Sequence, residues 1–295
     1  MQGIVVRSYS GYHYLRACQD AEGKLRLGSE IECRSRGKLK RDSKEILVGD
    51  LVEFAELEAG KGIIEKVLPR KSQLNRPAMA NLNQLVITIA VEPAVNLSLL
   101  DRMLVAAEIA QLRVVICLNK IDLGDQDPFY EELVSLYRGI GYPVVQTSAK
   151  TGKGIADLRS ELKGQLSALS GPSGVGKSAL LTALCPSWHL ASGDLSRGTG
   201  RGKHTTRYAQ LLILDQWSLV ADTPGFTALN LPGLKKAELA AAFPEFAAAG
   251  ACRFRSCLHK DEPDCAVRRT AAKSRYQSYL AFLKEIEEGE RHGKY

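Results

Sequence analysis

The sequence has no long apolar run of the kind that crosses a membrane. Its most apolar segment ends at Leu118 and is interrupted by Glu108, Gln111 and Arg113. A membrane-spanning helix needs roughly 18 or more consecutive apolar residues. Residues Met1–Arg7 also lack the basic start, apolar core and cleavage site of a signal peptide. We therefore expect a cytoplasmic protein without membrane contact.

Cysteine is scarce, and its count of 7 in 295 residues is odd. An odd count without an export signal argues against a disulfide framework. Cys18, Cys33, Cys117 and Cys185 are scattered along the chain, and we expect them to be buried as small apolar side chains. The other three cysteines lie close together near the C-terminus.

Acidic residues are fewer than basic ones, 33 against 40, which gives a formal net charge of +7 and an isoelectric point near 9.0. This balance favours a polyanionic partner, although it also serves solubility. The basic residues cluster in Arg34–Lys44 and Arg197–Arg207, and the second segment contains no acid. Because adjacent phosphates release counterions together, such clusters suit contact with a nucleic-acid backbone.

A length of 295 residues predicts two or three domains. Residues 1–70 hold short β-rich segments separated by turns, which predicts a small OB-like barrel that binds RNA; an SH3-like barrel is the alternative. The predicted strands are Gly3–Tyr9, Tyr12–Ala17, Leu25–Leu27, Ile31–Cys33, Asp50–Glu56 and Gly62–Val67. The basic stretch Arg34–Lys44 would then be a loop on the barrel rim.

Residues 71–234 alternate buried strands with helices, which predicts an α/β sheet covered by helices on both faces. Strands are expected at Leu85–Val91, Val114–Leu118, Val144–Val145, Gln165–Ser170, Tyr208–Leu214 and Trp217–Ala221, the last two as an edge hairpin, and helices at Ser98–Gln111, Pro128–Ile140 and Ala179–Leu184. Residues 235–295 are helical and include a Cys/His cluster. An amphipathic helix over Val267–Ile286 should pack its apolar stripe into a core.

A phosphate-binding motif spans Gly171–Ser178, where GPSGVGKS matches G-x-x-x-x-G-K-[ST]. Its glycines allow consecutive backbone N–H groups to point at phosphate oxygens, and the following helix adds its positive end. We expect Lys177 to reach the β- and γ-phosphates and Ser178 to bind Mg²⁺. The predicted phosphate-binding residues are Gly171, Pro172, Ser173, Gly174, Val175, Gly176, Lys177, Ser178 and Ala179.

Two further motifs select guanine over adenine. The tetrapeptide NKID follows a buried strand, at the strand end where open α/β sheets bind ligands, and SAK follows the next strand. The Asp122 carboxylate can accept hydrogen bonds from guanine N1–H and the 2-amino group, which adenine lacks in that arrangement. The predicted base-contacting residues are Asn119, Lys120, Ile121, Asp122, Ser148, Ala149 and Lys150.

The tetrapeptide DTPG at 222–225 follows the last predicted strand. There Asp222 is expected to hold Mg²⁺, and the Gly225 N–H to sense the γ-phosphate. In the Ras-like order the phosphate-binding loop comes first and the N-K-x-D motif comes later, whereas here N-K-x-D precedes the loop. The sequence therefore predicts a circularly permuted GTPase.

The barrel, the permuted order and the C-terminal Cys/His cluster together resemble the bacterial ribosome small-subunit-dependent GTPase A family over essentially the whole chain. By this resemblance, Gly198–Thr206 is similar to switch I, which implies a catalytic His204 and a Mg²⁺ contact from Thr205 or Thr206. His204 could instead contact RNA. Ras-type enzymes orient the attacking water with a Gln, but this chain has Phe226 at that position, and a phenylalanine side chain cannot hydrogen-bond. A histidine such as His204 can accept a proton near neutral pH and could take this role.

The C-terminal cluster supplies three sulfurs and one imidazole from Cys252, Cys257, His259 and Cys265. A Cys₃His set fills all four positions of tetrahedral zinc, which predicts a structural site; free cysteines beside an incidental histidine are the alternative. Basic residues surround the cluster and suit RNA contact. The RNA contacts predicted across the chain are Arg34, Arg36, Lys38, Lys40, Arg41, Arg201, Lys203, Arg253, Arg255 and Lys260.

The resemblance implies a monomeric GTP hydrolase that binds the small (30S) ribosomal subunit and its rRNA, assists late maturation and is stimulated by the subunit. It also implies one structural Zn²⁺, and Mg²⁺ with GTP. The rival interpretation is an RNA-binding assembly factor that uses GTP mainly as a conformational switch. Since the chain runs from Gly225 directly to the Cys/His domain, we further hypothesise that switch II, the segment that starts at the DTPG motif, reports the nucleotide state to that domain.

Overall fold

The computed structural model describes residues 1–21, 24–36, 45–75, 78–124, 127–186, 210–216, 218–222 and 234–291. The N-terminal strands are β1 (Gln2–Tyr9), β2 (Tyr12–Ala21), β3 (Lys24–Ser35), β4 (Leu51–Glu58) and β5 (Lys61–Val67). They close into a barrel in the order β1-β2-β3-β5-β4, with β3 parallel to β5 and β1 antiparallel to β4. This arrangement confirms the predicted OB-like barrel.

Strand β3 is longer than the sequence indicated. The segments Leu25–Leu27 and Ile31–Cys33, predicted as separate strands, belong to this one strand, so dividing them was wrong. Gly28 continues the strand instead of turning it, and a Cβ at Gly28 would lie 3.5 Å from the Ala17 side chain of β2. Arg34 also lies within β3 and not in the rim loop where it was expected.

The next region is an α/β sheet. Its elements are β8 (Gln84–Ala90), α1 (Leu97–Ile109), β9 (Arg113–Asn119), α2 (Pro128–Ile140), β10 (Val144–Gln146), α3 (Ile155–Leu162), β11 (Leu166–Ser170), α4 (Lys177–Leu184), β12 (Leu211–Ile213) and β13 (Leu219–Asp222), preceded by the hairpin β6 (Gln73–Asn75) and β7 (Ala78–Ala80). In the described residues the strand order is β10-β9-β8-β11-β13-β12, with β12 antiparallel at the edge as predicted.

Alternate side chains of the strands face two helical layers. Leu85 and Ile87 of β8 pack with residues of α1 and α2, whereas Val86 packs with residues of α3 and α4. The prediction of helices on both faces is thus confirmed. The barrel shares the first of these cores through Ile4 and Val6 of β1, so the barrel and the sheet pack directly against each other.

The C-terminal part contains α5 (Lys236–Ala241), α6 (Pro244–Ala248), α7 (Ala266–Thr270) and α8 (Lys273–Arg291). The single helix predicted over Val267–Ile286 is wrong, because Ala271 adopts extended backbone (ψ 140°) and ends α7. The apolar stripe of α8 does enter a core, as expected. Within the described ranges, each helix is too short or too polar to span a membrane.

The scattered cysteines divide into two kinds. Cys33 and Cys117 are buried, as expected. Cys18 and Cys185 are only partly buried, so the expectation of full burial is wrong for these two. Cys185 follows the last residue of α4, whereas Cys18 lies within β2, where the register with β3 shifts between Arg16 and Cys18.

Candidate nucleotide and metal sites

The phosphate-binding motif occupies the turn between β11 and α4. Gly171 has φ +148°, and a Cβ there would lie 2.1 Å from the carbonyl oxygen of Thr88, so a side chain does not fit. The Lys177 ammonium donates to the carbonyl oxygens of Gly171 (2.8 Å) and Pro172 (2.9 Å). It therefore lies across the loop whose N–H groups would surround a phosphate. Ser178, at the start of α4, is exposed.

Asn119 joins the phosphate-binding loop to the predicted base-binding loops. Its buried side chain donates from Nδ2 to the Val175 carbonyl at 2.9 Å, while Oδ1 accepts from the Thr147 hydroxyl at 3.1 Å and the Ala149 N–H at 3.2 Å. Burial raises the pKa of Cys117 to about 12, so its thiol stays protonated beside the Thr147 hydroxyl, 3.2 Å away. A buried network of this kind fixes the orientation of the Asn119 amide.

Asp122 and Ser148 connect the two predicted base-recognition motifs. The Ser148 hydroxyl donates to Asp122 Oδ1 at 2.6 Å, and this bond lowers the pKa of the Asp122 carboxyl, helped by the charges of Lys150 and Lys120. Ser148 is buried, whereas Asp122 is exposed. The carboxylate is thus held in its charged form and remains accessible to a ligand. Lys120 has φ +61° and turns the chain from β9 into the short helix Ile121–Leu123.

The remaining predicted nucleotide residues are only partly covered by the structure. The backbone of Asp222 ends β13 and pairs with Leu169 of β11, the strand that leads into the phosphate-binding loop. The DTPG motif therefore starts beside that loop. The predicted site residues outside the described ranges are His204, Thr205, Thr206, Gly225, Lys38, Lys40, Arg41, Arg201 and Lys203, together with Phe226.

The C-terminal Cys/His residues converge on one point. The ligand atoms of Cys252, Cys257, His259 and Cys265 all lie within 4.8 Å of one another. The His259 Nδ1 atom is 3.5 Å from the sulfurs of Cys252 and Cys257 and 3.4 Å from that of Cys265. Burial lowers the pKa of His259, which favours the neutral ring that metals bind. The group could hold one tetrahedral metal ion.

Sequence reasoning missed the residues that support this cluster. Glu262 accepts hydrogen bonds from the backbone N–H groups on either side of His259, at 2.7 and 2.8 Å. From α8, the Tyr279 hydroxyl donates to the Leu258 carbonyl at 2.6 Å and the Tyr276 hydroxyl to the His259 carbonyl at 2.7 Å. The helical stripe contained both tyrosines, but no sequence signal indicates what their hydroxyls bind.

The predicted RNA-contacting side chains that are described lie at the surface, and most already have a partner. Arg34 stacks on Tyr12, with its guanidinium carbon 4.4 Å from the ring centroid. The ion pairs are Arg36–Glu65 (3.2 Å), Arg253–Asp264 (3.1 Å) and Lys260–Glu287 (3.1 Å). Exposed pairs are worth little, so these cations can exchange their partners for phosphates.

Comparison with known proteins finds matches to both major parts of the chain. The sequence model described as RsgA GTPase matches residues 67–232, and the model described as RsgA N-terminal domain matches residues 2–64. A relative from Moorella thermoacetica, named small ribosomal subunit biogenesis GTPase RsgA, is 43% identical and is matched over 97% of each chain. A relative of the same name from Caldanaerobacter subterraneus is also 43% identical, over 99% of this chain and 97% of its own.

Solved structures agree with these matches. YjeQ from Thermotoga maritima has a TM-score of 0.80 and 39% identity, covering 97% of this chain and 98% of that one. YloQ, described as a circularly permuted GTPase, has a TM-score of 0.78 and 32% identity, covering 97% and 95%. The predicted permutation is confirmed, and with it the resemblance found in the sequence. The chain therefore belongs to the RsgA GTPase family.

Proposed function

We propose that this protein hydrolyses GTP to GDP and phosphate on the small ribosomal subunit, whose late maturation it assists. The observation that carries the proposal is the Asn119 network, which joins a phosphate-binding loop to the two loops that recognise guanine. The charged, exposed carboxylate of Asp122 favours guanine over adenine. The name of the relatives, small ribosomal subunit biogenesis GTPase RsgA, supports the subunit as the partner.

In this proposal GTP binds with Mg²⁺. The phosphates lie along Gly171–Ala179, and Lys177 exchanges its loop carbonyls for the β- and γ-phosphates. The Mg²⁺ contacts come from Ser178, from Asp222 and from one of the two switch I threonines. The Gly225 N–H contacts the γ-phosphate, and His204 orients or deprotonates the attacking water.

The Cys₃His cluster holds one structural Zn²⁺, because three thiolates and a neutral imidazole are a closed zinc set. We further propose three domains, 1–70, 71–234 and 235–295, each of which presents basic residues to rRNA. The protein acts as a monomer in the cytoplasm, where ribosomal subunits mature.

Hydrolysis rates test the proposal directly. GTP turnover is measured at steady state and in a single turnover for the protein alone, with purified small subunits and, as the control, with large subunits. We expect strong stimulation by small subunits only. If small subunits bind in a nucleotide-dependent way but do not stimulate turnover, the protein is an assembly factor that uses GTP as a switch. If small subunits neither bind the protein nor stimulate its turnover, the proposal is refuted.

A further inference from the structure

The loop between the first two metal ligands carries an exposed aromatic ring. Phe254 is 43% exposed, whereas the described phenylalanines at positions 54, 243, 246 and 282 are buried. A single exposed apolar side chain is ordinary on a protein surface. The turn that holds this ring and the cations next to it indicate which kind of partner it contacts.

The ring stands on a turn that is fixed at both ends. Cys252 and Cys257, which bracket the loop, belong to the metal cluster, and the Cys257 N–H donates to the Phe254 carbonyl at 3.2 Å. A partner that contacts this ring meets a preformed surface, so little ordering entropy opposes binding.

The residues on either side of Phe254 in the chain are arginines, and Arg253 lies over the ring. The Arg253 guanidinium carbon lies 5.5 Å from the Phe254 centroid, and its ion pair with Asp264 is weak because both side chains are 63% exposed. Arg255 is exposed and forms no salt bridge with any residue that the structure describes. An exposed aromatic ring with an arginine next to it on each side in the sequence is the chemistry that binds an unpaired nucleotide: the base stacks on the ring, and the cations meet its phosphates.

We propose that Phe254 stacks on an unpaired base of small-subunit rRNA, with Arg255 and Arg253 on the adjoining phosphates. The inference rests on the proposed function, since it needs the small subunit as partner, and it adds a base-contacting residue to the metal-binding segment. The alternative partner for the Phe254 ring is an apolar pocket of a ribosomal protein. The two neighbouring arginines favour RNA, because phosphates attract them whereas an apolar pocket does not.

The test measures the affinity of the full-length, zinc-loaded protein for purified small subunits with a non-hydrolysable GTP analogue. The variants are Phe254→Ala, Phe254→Leu, Phe254→Tyr and Phe254→Trp. The matched control is Phe129→Ala, which removes a second exposed phenylalanine (41% exposed) that packs on Tyr130. Zinc content and thermal unfolding are compared for all variants, so that a folding defect is recognised.

We expect Phe254→Ala and Phe254→Leu to weaken binding about 5- to 100-fold, while Phe254→Tyr stays near wild type, because stacking needs a π face. In Phe254→Trp, the added indole fluorescence should be quenched by the stacked base when subunits bind. Wild-type affinity in Phe254→Ala, or an equal loss in Phe129→Ala, would overturn the inference. Full binding by Phe254→Leu would assign the ring to a protein pocket. If the wild type itself does not bind small subunits, the proposed function has failed instead.

Discussion

The guanidinium of Arg275 in α8 donates to the buried carboxylate of Asp101 in α1 at 2.6 Å, across 174 residues of sequence. Both side chains are 0% exposed. Glu245 of α6 accepts a second bond from Arg275 at 2.6 Å, and the Tyr137 hydroxyl of α2 donates to Asp101 at 2.7 Å. This network fixes the C-terminal helices, and the Cys/His cluster they support, to the α/β sheet.

Helix α1 is buried in the C-terminal core and also faces the predicted phosphate-binding loop across a cavity. Its Val105 is buried among the residues of α5, α6 and α8. Its Leu100 and Met103 line an apolar cavity of about 250 Å³ together with Pro172 and Val175 of the phosphate-binding loop. We expect a movement of that loop to be felt by α1 only if it closes this cavity. The hypothesis that switch II carries the signal stays a prediction, because residues 223–233 lie outside the described ranges.

Removing the Asp101 carboxylate should destabilise the protein strongly. Asp101→Ala leaves the buried charge of Arg275 with Glu245 alone, and breaking one partner from a buried ion pair costs about 3–5 kcal/mol. The triple variant Asp101→Ala, Glu245→Gln, Arg275→Met should lose less, because no buried charge is left unpaired. Urea denaturation gives the free energies of unfolding. Glu58→Ala, which breaks an exposed pair with Lys61 (3.0 Å), is the control and should cost below about 1 kcal/mol.

The sequence predicted features that depend on neighbouring residues, but it did not predict contacts between residues far apart in the chain. Each nucleotide motif is a short run at or just after the end of a strand, and the four Cys/His residues lie close together in the chain, so local spacing was enough to predict where they lie. The Asp101–Arg275 pair joins two helices far apart in the chain, and a charged residue on an amphipathic helix predicts a solvent-facing side chain. The break at Ala271 was also missed, because neither Gly nor Pro stands at or next to it in the sequence.

Loss of a metal ligand should release zinc and loosen the C-terminal core. We expect about one zinc ion per chain in the wild type, as a Cys₃His site implies, and none in Cys257→Ala. The unfolding temperature should fall with the zinc, because Phe246 packs edge-on against the His259 ring (centroids 5.4 Å apart) and shares the core with Tyr279. Colorimetric zinc release and thermal unfolding measure both effects. Cys185→Ala, outside the cluster, should keep its zinc; parallel zinc loss there would contradict the assignment.

The Ser148–Asp122 bond predicts a pH effect on guanine binding. The bond lowers the pKa of the Asp122 carboxyl below its ordinary value of 3.8, and recognition of guanine needs the charged form. Affinity should therefore persist as the pH falls and be lost only below that value. In Ser148→Ala the pKa rises, so GDP affinity should begin to fall at a higher pH than in the wild type. Calorimetric GDP titration over a pH series checks this. Ser160→Ala, an exposed helical hydroxyl, should follow the wild-type curve.

The proposed role of His204 predicts a loss confined to turnover. His204→Ala should bind GTP like the wild type but lose about 10²- to 10⁴-fold of the subunit-stimulated rate, the range of general acid–base effects. The rate is measured at saturating small subunits. If His204 only contacts RNA, saturation restores the wild-type rate and the catalytic role is wrong. His189→Ala, a histidine without an assigned role, serves as the matched control.

Alanine variants of two glycines in the phosphate-binding loop distinguish the effect of backbone strain from the effect of a clash with Asn119. Gly176 and Gly174 both have positive φ, +93° and +84°, so an alanine at either position carries about 1–2 kcal/mol of strain. A Cβ at Gly176 would lie 2.5 Å from Asn119 Nδ2, whereas at Gly174 the nearest atom is Pro93 Cδ at 3.7 Å. Gly176→Ala must therefore also displace Asn119, and with it the base loops. We expect it to weaken GDP binding by at least about tenfold more than Gly174→Ala does. Guanosine, which has no phosphates, should lose affinity only in Gly176→Ala; equal guanosine affinity in the two variants would show that Asn119 does not connect the loops.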